Sequence, residues 1–117
     1  MSDIEELQKK ILDFRNARDW QQYHQPKELA ISIAIEAAEL LEQFQWRKGG
    51  TPEYQSDHHE EIGEELADVL IYSLLLADEM GYNVPSIILD KLEKNKRKYP
   101  ADQVRGSDKK YTEYDRS

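Results

Sequence analysis

Two acid pairs, Glu36-Ala-Ala-Glu39 and Glu65-Leu-Ala-Asp68, lie in the two most apolar stretches of an otherwise very polar chain. Each pair is spaced i, i+3, which on a helix puts both carboxylates on one face. An ionised carboxylate buried alone is costly and calls for a partner charge. If the two carrying helices pack antiparallel, four hard oxygen donors converge. Such a set suits Mg²⁺, with Mn²⁺ as a substitute. In a chain with 24 Asp and Glu residues, chance pairs are common and could merely solvate two helix faces. The Ile, Leu and Ala residues on both sides of each pair weigh toward the metal.

The elements that position these acids follow from periodicity and punctuation. Ser2-x-x-Glu5 reads as a capping box opening a first helix. Ile4, Leu7, Ile11, Leu12 and Phe14 form its apolar stripe to about Ala17. Pro26 suits the first position of a second helix, expected to run to Trp46 before Gly49-Gly50. At about 100° per residue, Ser32, Glu36, Glu39 and Gln43 make one narrow polar stripe. Leu29, Ile33, Leu40 and Phe44 flank it on one side, and Ile31, Ile35 and Trp46 on the other. A surface helix would spread its acids over a wide face; here they lie in a trough.

Gly49–Asp57 reads as a loop, and Asp57-x-x-Glu60 as the cap of a third helix to Met80, ended by Gly81. Glu61, Glu65, Asp68, Tyr72 and Glu79 share its polar stripe, between Val69 and Leu76 on one side and Ile71 and Leu75 on the other. A fourth helix starts near Asn83-Val84-Pro85 and stops before Pro100. It puts Lys91, Asn95 and Lys98 on one face. The expected fold is an all-α bundle of four helices over residues 1–100, completed by oligomerisation. Residues 101–117 are expected to be a flexible polar tail, or an arm that orders on a neighbour.

The bulk numbers bound the function. A chain of 117 residues is one domain with a modest core. Without cysteine there is no disulfide, Fe–S cluster or thiolate zinc site. No apolar run approaches the roughly 20 residues of a membrane span, and Met1–Lys10 shows no apolar signal region. A cytoplasmic protein with no membrane partner is expected. The net charge of −8 argues against nucleic-acid binding. It leaves room for a phosphate ligand bridged by Mg²⁺.

Other residues could serve such a ligand. Glu61 is either a further metal contact or a general base for water, with a solvated first turn an equal reading. Glu64 lies to the side. His58 and His59 read as loop residues. No HExxH and no Glu-x-x-His occurs, which weighs against a zincin and a di-iron bundle. His24, among Trp20, Tyr23 and Pro26, could touch a base or a phosphate, or simply pack a helix junction. Trp20, Trp46 and Tyr72 could stack a base, although core packing alone would explain them better. Lys91, Asn95 and Lys98 suit phosphate oxygens, although taken alone a solvated helix face explains them better.

Taken together, these segments resemble a known family. Glu36-x-x-Glu39 followed by Glu65-x-x-Asp68 resembles the ExxE…ExxD signature of the MazG-like all-α nucleotide pyrophosphohydrolases. Arg18-Asp19-Trp20 with His24-Gln25-Pro26, Phe44-Gln45-Trp46, Glu65–Tyr72 and Lys91-x-x-x-Asn95-x-x-Lys98-Tyr99-Pro100 resemble the dCTP pyrophosphatase branch. The likeness covers about residues 5–100. In the last motif Lys98 stands where the family has Arg; Lys keeps the charge and loses the bidentate fork, and Arg97 is beside it.

The resemblance implies Mg²⁺-dependent hydrolysis of a nucleoside triphosphate, dCTP or a modified dCTP, to the monophosphate and pyrophosphate. It implies metal binding by Glu36, Glu39, Glu65 and Asp68, and a nucleotide site lined by His24, Trp46, Tyr72, Lys91 and Asn95. It also implies a homodimer or dimer of dimers. A broad-specificity enzyme for noncanonical triphosphates and a non-catalytic helical interaction module are the alternatives.

Overall fold

The structure is a computed structural model that describes residues 2–106, the side chain of Arg47 excepted. The described residues contain no strand, and the fold is all-α as expected. The chain divides into two compact units, Met1–Tyr82 and Asn83–Ser117. The first holds α1 (Asp3–Ala17), α2 (Pro26–Glu42), α3 (Pro52–Asp57) and α4 (His59–Glu79). The second holds α5 (Val84–Lys98) and α6 (Ala101–Val104). Of the expected tail, residues 107–117 lie outside the described part.

Ser2 caps α1 as its sequence predicts, its hydroxyl oxygen accepting the Glu5 N–H at 3.2 Å. The helix ends where Arg18 and Trp20 donate their N–H groups to the Arg15 carbonyl. Asp19 takes φ 53°, a left-handed conformation that short polar side chains tolerate. That turn feeds a single 3₁₀ turn, Gln21–Tyr23. Pro26 then opens α2 with its fixed φ.

Three expected boundaries are corrected. Helix α2 stops at Glu42, not Trp46, and residues 43–45 make tight turns back onto Leu40, Leu41 and Glu42. The chain then doubles back so closely that a Cβ on Gly49 would lie 2.6 Å from the Phe44 Cα. The expected loop 49–57 contains α3, whose Thr51 hydroxyl accepts the Tyr54 N–H at 3.2 Å, with Pro52 in the first turn. Asp57 therefore ends α3 and cannot cap α4; His58 precedes α4 without a side-chain cap bond.

Helix α4 is the axis of the first unit, with α2 and α1 packed along it. Glu42 acts on Glu65 while Glu36 acts on Tyr72, so α2 and α4 run antiparallel. On α1, Gln8 donates to the Leu74 carbonyl at 3.3 Å and Arg15 to Glu79 at 3.0 Å, so α1 and α4 run parallel. Leu29, Leu75 and Ala77 are buried in this unit. Burying Leu29, 1% exposed, contributes roughly 2 kcal/mol. Gly81, at φ +72°, supplies the left-handed residue that ends α4.

In the second unit the Asn83 side chain caps α5 by accepting the Ser86 N–H at 3.0 Å. Pro85 lies in the first turn. Ile87, Ile88, Leu89 and Leu92 of α5 are exposed.

Candidate metal centre and adjoining slot

The antiparallel α2–α4 pair brings the two acid pairs together because each presents its carboxylates one turn apart on one face. One oxygen each from Glu36, Glu65 and Asp68 lies within 4.8 Å of the others. Glu39 borders Glu36 and Glu65 and acts on both. Burial, then the neighbouring Glu39 and the charges of Asp68 and Glu65, pushes the Glu36 carboxyl up to about 6. Glu65 is raised for the same reasons, burial first. Oε2 of Glu36 and Oε2 of Glu65 are buried without a hydrogen-bond partner.

Hard oxygens that repel one another, two of them lacking any donor, form a donor set that fits a hard divalent cation. A cation placed among them would satisfy the orphaned atoms and reverse the repulsion. Glu61 and Glu64 are exposed on the first turns of α4, and Glu61 is not among the converging oxygens. His58 stacks on Tyr54 at 3.9 Å between ring centres, and His59 is the first residue of α4.

From Asp68 a slot of about 450 Å³ runs along α4. Asp68, Ile71, Tyr72 and Leu75 form one wall. The opposite wall is α1, through Leu7, Lys10, Ile11, Phe14 and Arg15. Trp20 and His24 from the connecting segment complete it. Asp68 thus belongs both to the acid cluster and to the mouth of the slot.

The Trp20 ring meets Phe14 edge-on at 5.8 Å, and Arg18 lies 3.7 Å over the Phe14 ring. His24 meets Tyr72 edge-on at 6.5 Å. Burial, and then the Arg15 charge, lowers the His24 pKa, so the imidazole is neutral at pH 7; its Nδ1 is buried without a partner. Burial and the charges of Glu36, Asp68 and Glu39 raise the Tyr72 pKa and keep its hydroxyl protonated.

Of the aromatic and basic residues singled out from sequence, Trp20, His24 and Tyr72 line this slot. Trp46 does not, and is 73% exposed beyond the end of α2. Lys91, Asn95 and Lys98 lie on α5, in the second unit, with Lys91 exposed and the other two half-buried. Sequence reasoning missed the wall contributed by α1. Its apolar stripe was visible, but a stripe does not tell a core face from the wall of a slot.

Residues 31–114 match the MazG-like family. The dCTP pyrophosphatase 1 of Homo sapiens is 40% identical over 113 residues, which are 94% of this chain and 66% of that protein. The dCTP pyrophosphatase 1 of Rattus norvegicus is 35% identical over 116 residues, 97% of this chain and 68% of that one. The chain thus spans about two thirds of the length of the curated relatives it matches. A crystal structure of a pyrophosphatase from Archaeoglobus fulgidus is similar with a TM-score of 0.79 and 45% identity, over 86% of this chain and 94% of that one.

Proposed function

Because the chain belongs to the MazG-like family, we propose that it is a Mg²⁺-dependent nucleoside triphosphate pyrophosphohydrolase. It converts dCTP or a modified dCTP to the monophosphate and pyrophosphate. The observation that carries this reading is the convergence of Glu36, Glu65 and Asp68 within 4.8 Å, with two buried oxygens lacking partners. Glu36, Glu39, Glu65 and Asp68 would hold Mg²⁺, or Mn²⁺ in its place. The bound ion supplies neutralisation of phosphate charge and polarisation of phosphorus.

The remaining work falls to the chain's own side chains. Asp68 ties the acid cluster to the slot, so the phosphates belong at that end and the nucleoside along α4. From Asp68 to Leu75 is about 10 Å of helix, the length of a nucleoside. Trp20 and Tyr72 offer flat faces and edges to sugar and base, and the neutral His24 offers a hydrogen-bonding nitrogen without a charge. A carboxylate must accept the proton of the attacking water. Glu39, beside both Glu36 and Glu65, and Glu61, one turn before Glu65, are the two candidates. Lys91, Asn95 and Trp46 suit phosphates and base by chemistry, as in the family motifs they match; Lys98 keeps the charge of the motif's Arg without its bidentate fork.

Self-association belongs to this reading. Ile31, Ile35 and Leu41 on α2 and Leu66 and Leu70 on α4 are exposed. Apolar rows of this kind on a small all-α chain are covered by a second copy more readily than by water. A homodimer, or a dimer of dimers, is the expected assembly.

A panel of common and modified triphosphates with Mg²⁺, reading pyrophosphate separately from phosphate, tests the function. Pyrophosphate release greatest with dCTP or a modified dCTP supports it. Equal release from many noncanonical triphosphates would replace it with a broad housecleaning enzyme. No release, and no thermal shift with Mg²⁺ plus nucleotide, would leave a helical interaction module.

A further inference from the structure

Among the described residues Arg15 is the buried charged side chain, 4% exposed, and the acid cluster makes no use of it. Taking a guanidinium out of water is expensive unless its donors are met. Nη1 donates to Oε1 of Glu79 at 3.0 Å, and Nε donates to Oδ1 of Asn16 at 3.1 Å. A guanidinium carries five N–H donors, and these bonds engage two of them. Arg15 also forms part of the wall of the slot. Its carbonyl accepts the N–H groups of Arg18 at 3.1 Å and Trp20 at 3.2 Å, so the same residue fixes the turn that sets Trp20 against Phe14.

Its position along the slot is equally definite. Glu79, its partner, stands about three helical turns beyond Asp68 on α4. With the phosphates at the Asp68 end, Arg15 faces the base end. The walls between are chiefly apolar: Ile11, Phe14, Ile71 and Leu75. A rigid fork of donors at the end of an apolar slot can read the edge of a flat ring, because a wrong edge meets it donor against donor, away from water once the ring is seated.

We propose that Arg15 is the specificity-determining residue of the slot, its remaining N–H donors selecting a pyrimidine that presents two adjacent acceptors. Cytosine does so with O2 and N3. Thymine and uracil place an N3–H in the same position, donor against donor. A substituent on C5 leaves the O2/N3 edge unchanged, so this contact accepts C5-modified cytosines equally. The inference rests on the nucleotide reading of the slot.

Calorimetric binding of dCMP and dTMP to the full chain tests it without needing turnover. Three proteins are compared: wild type, Arg15→Lys, and the double variant Arg15→Met with Glu79→Leu. The lysine keeps a charge for Glu79 but has no fork. The double variant removes the ion pair as a unit, so no carboxylate is orphaned and folding is preserved. Wild type is expected to prefer dCMP by roughly tenfold to a hundredfold, the discrimination of a bidentate contact. In both variants the two nucleotides are expected to bind within about threefold of each other, most of the acceptor discrimination being lost.

Equal binding by wild type, an unchanged preference in the variants, or equal weakening of both nucleotides would each overturn the proposal; the last would make Arg15 a structural residue. Pyrophosphate release from dCTP by wild type is measured in parallel. Its absence would sink the hydrolase reading and leave the dCMP/dTMP result to stand by itself.

Discussion

In the trough between α2 and α4, Glu36, Glu65 and Asp68 crowd like charges together, and two of their oxygens have no partner. At the far end of the slot, Arg15 and Glu79 are paired at 3.0 Å, and Asn16 takes a further donor. Both arrangements draw charge into the same small unit, and α4 contributes to both. The ion pair is balanced in charge in the free protein, and the guanidinium keeps further N–H donors for a ligand in the slot. The trough is not, and its carboxyls answer by holding protons more tightly than usual. Unpaired charge is what a bound cation would neutralise, and paired charge marks a preformed surface.

The comparison breaks most readily at the acids. Glu39→Gln or Asp68→Asn keeps size and helix propensity, so circular dichroism should be unchanged. Loss of one charge from the cluster should lower kcat with Mg²⁺ by roughly a hundredfold to a thousandfold or more. Near wild-type turnover by either variant would remove the four-acid site from the mechanism. The slot should respond differently. Trp20→Ala removes a flat face worth about 1–3 kcal/mol per stacked base, so KM for the preferred triphosphate should rise roughly tenfold with kcat nearly held. A fall in kcat at constant KM would instead give Trp20 a packing role beside Phe14.

The two regions also differ in how far they could be read from sequence. The acid pairs were legible because their geometry is local: i, i+3 spacing inside apolar runs fixes the shared face, whatever the packing. Their meeting needed one further step, an antiparallel α2 and α4, which the intervening turns permit. Arg15 was illegible because its partner, Glu79, is 64 residues away. Nothing beside Arg15 distinguishes it from Arg18, which is exposed and lies over Phe14.

Helix ends fall between these cases. Thr51-Pro52 carried the start signal of α3 in plain view, a capping hydroxyl before a proline. The end of α2 at Glu42 carried none, since Gln43, Phe44 and Gln45 form helices well enough. There the chain turns back locally, and Gly49, lacking a Cβ, lies against the Phe44 backbone. Trp46 was misplaced by that same error, because a helix continued to 46 would keep it in register with Ile35.

The smallest expected effect sharpens the contrast, since it reads the strain in the trough without any substrate. In chelated protein the Glu36 carboxyl titrates at about 6, against an ordinary value of 4.5. The folded state therefore holds this proton more tightly than the unfolded state does. The stability it contributes is fully present below about 4.5 and is lost as pH rises through about 6. Glu65 acts in the same direction. His24, with its lowered pKa, acts oppositely: its contribution is present above its ordinary value of 6.5 and fades as pH falls. A variant separates these. Glu36→Gln should flatten the fall in melting temperature between pH 4.5 and about 6, a difference of a few degrees for a domain of this size. At pH 7.5 the same variant should melt higher than wild type in chelator, and should gain less on adding Mg²⁺, because it has lost both the repulsion and a ligand. Were Glu36→Gln to steepen the pH dependence, or to gain as much from Mg²⁺ as wild type, Glu36 would be an ordinary surface acid, and the trough would hold no more stored repulsion than the paired end of the slot.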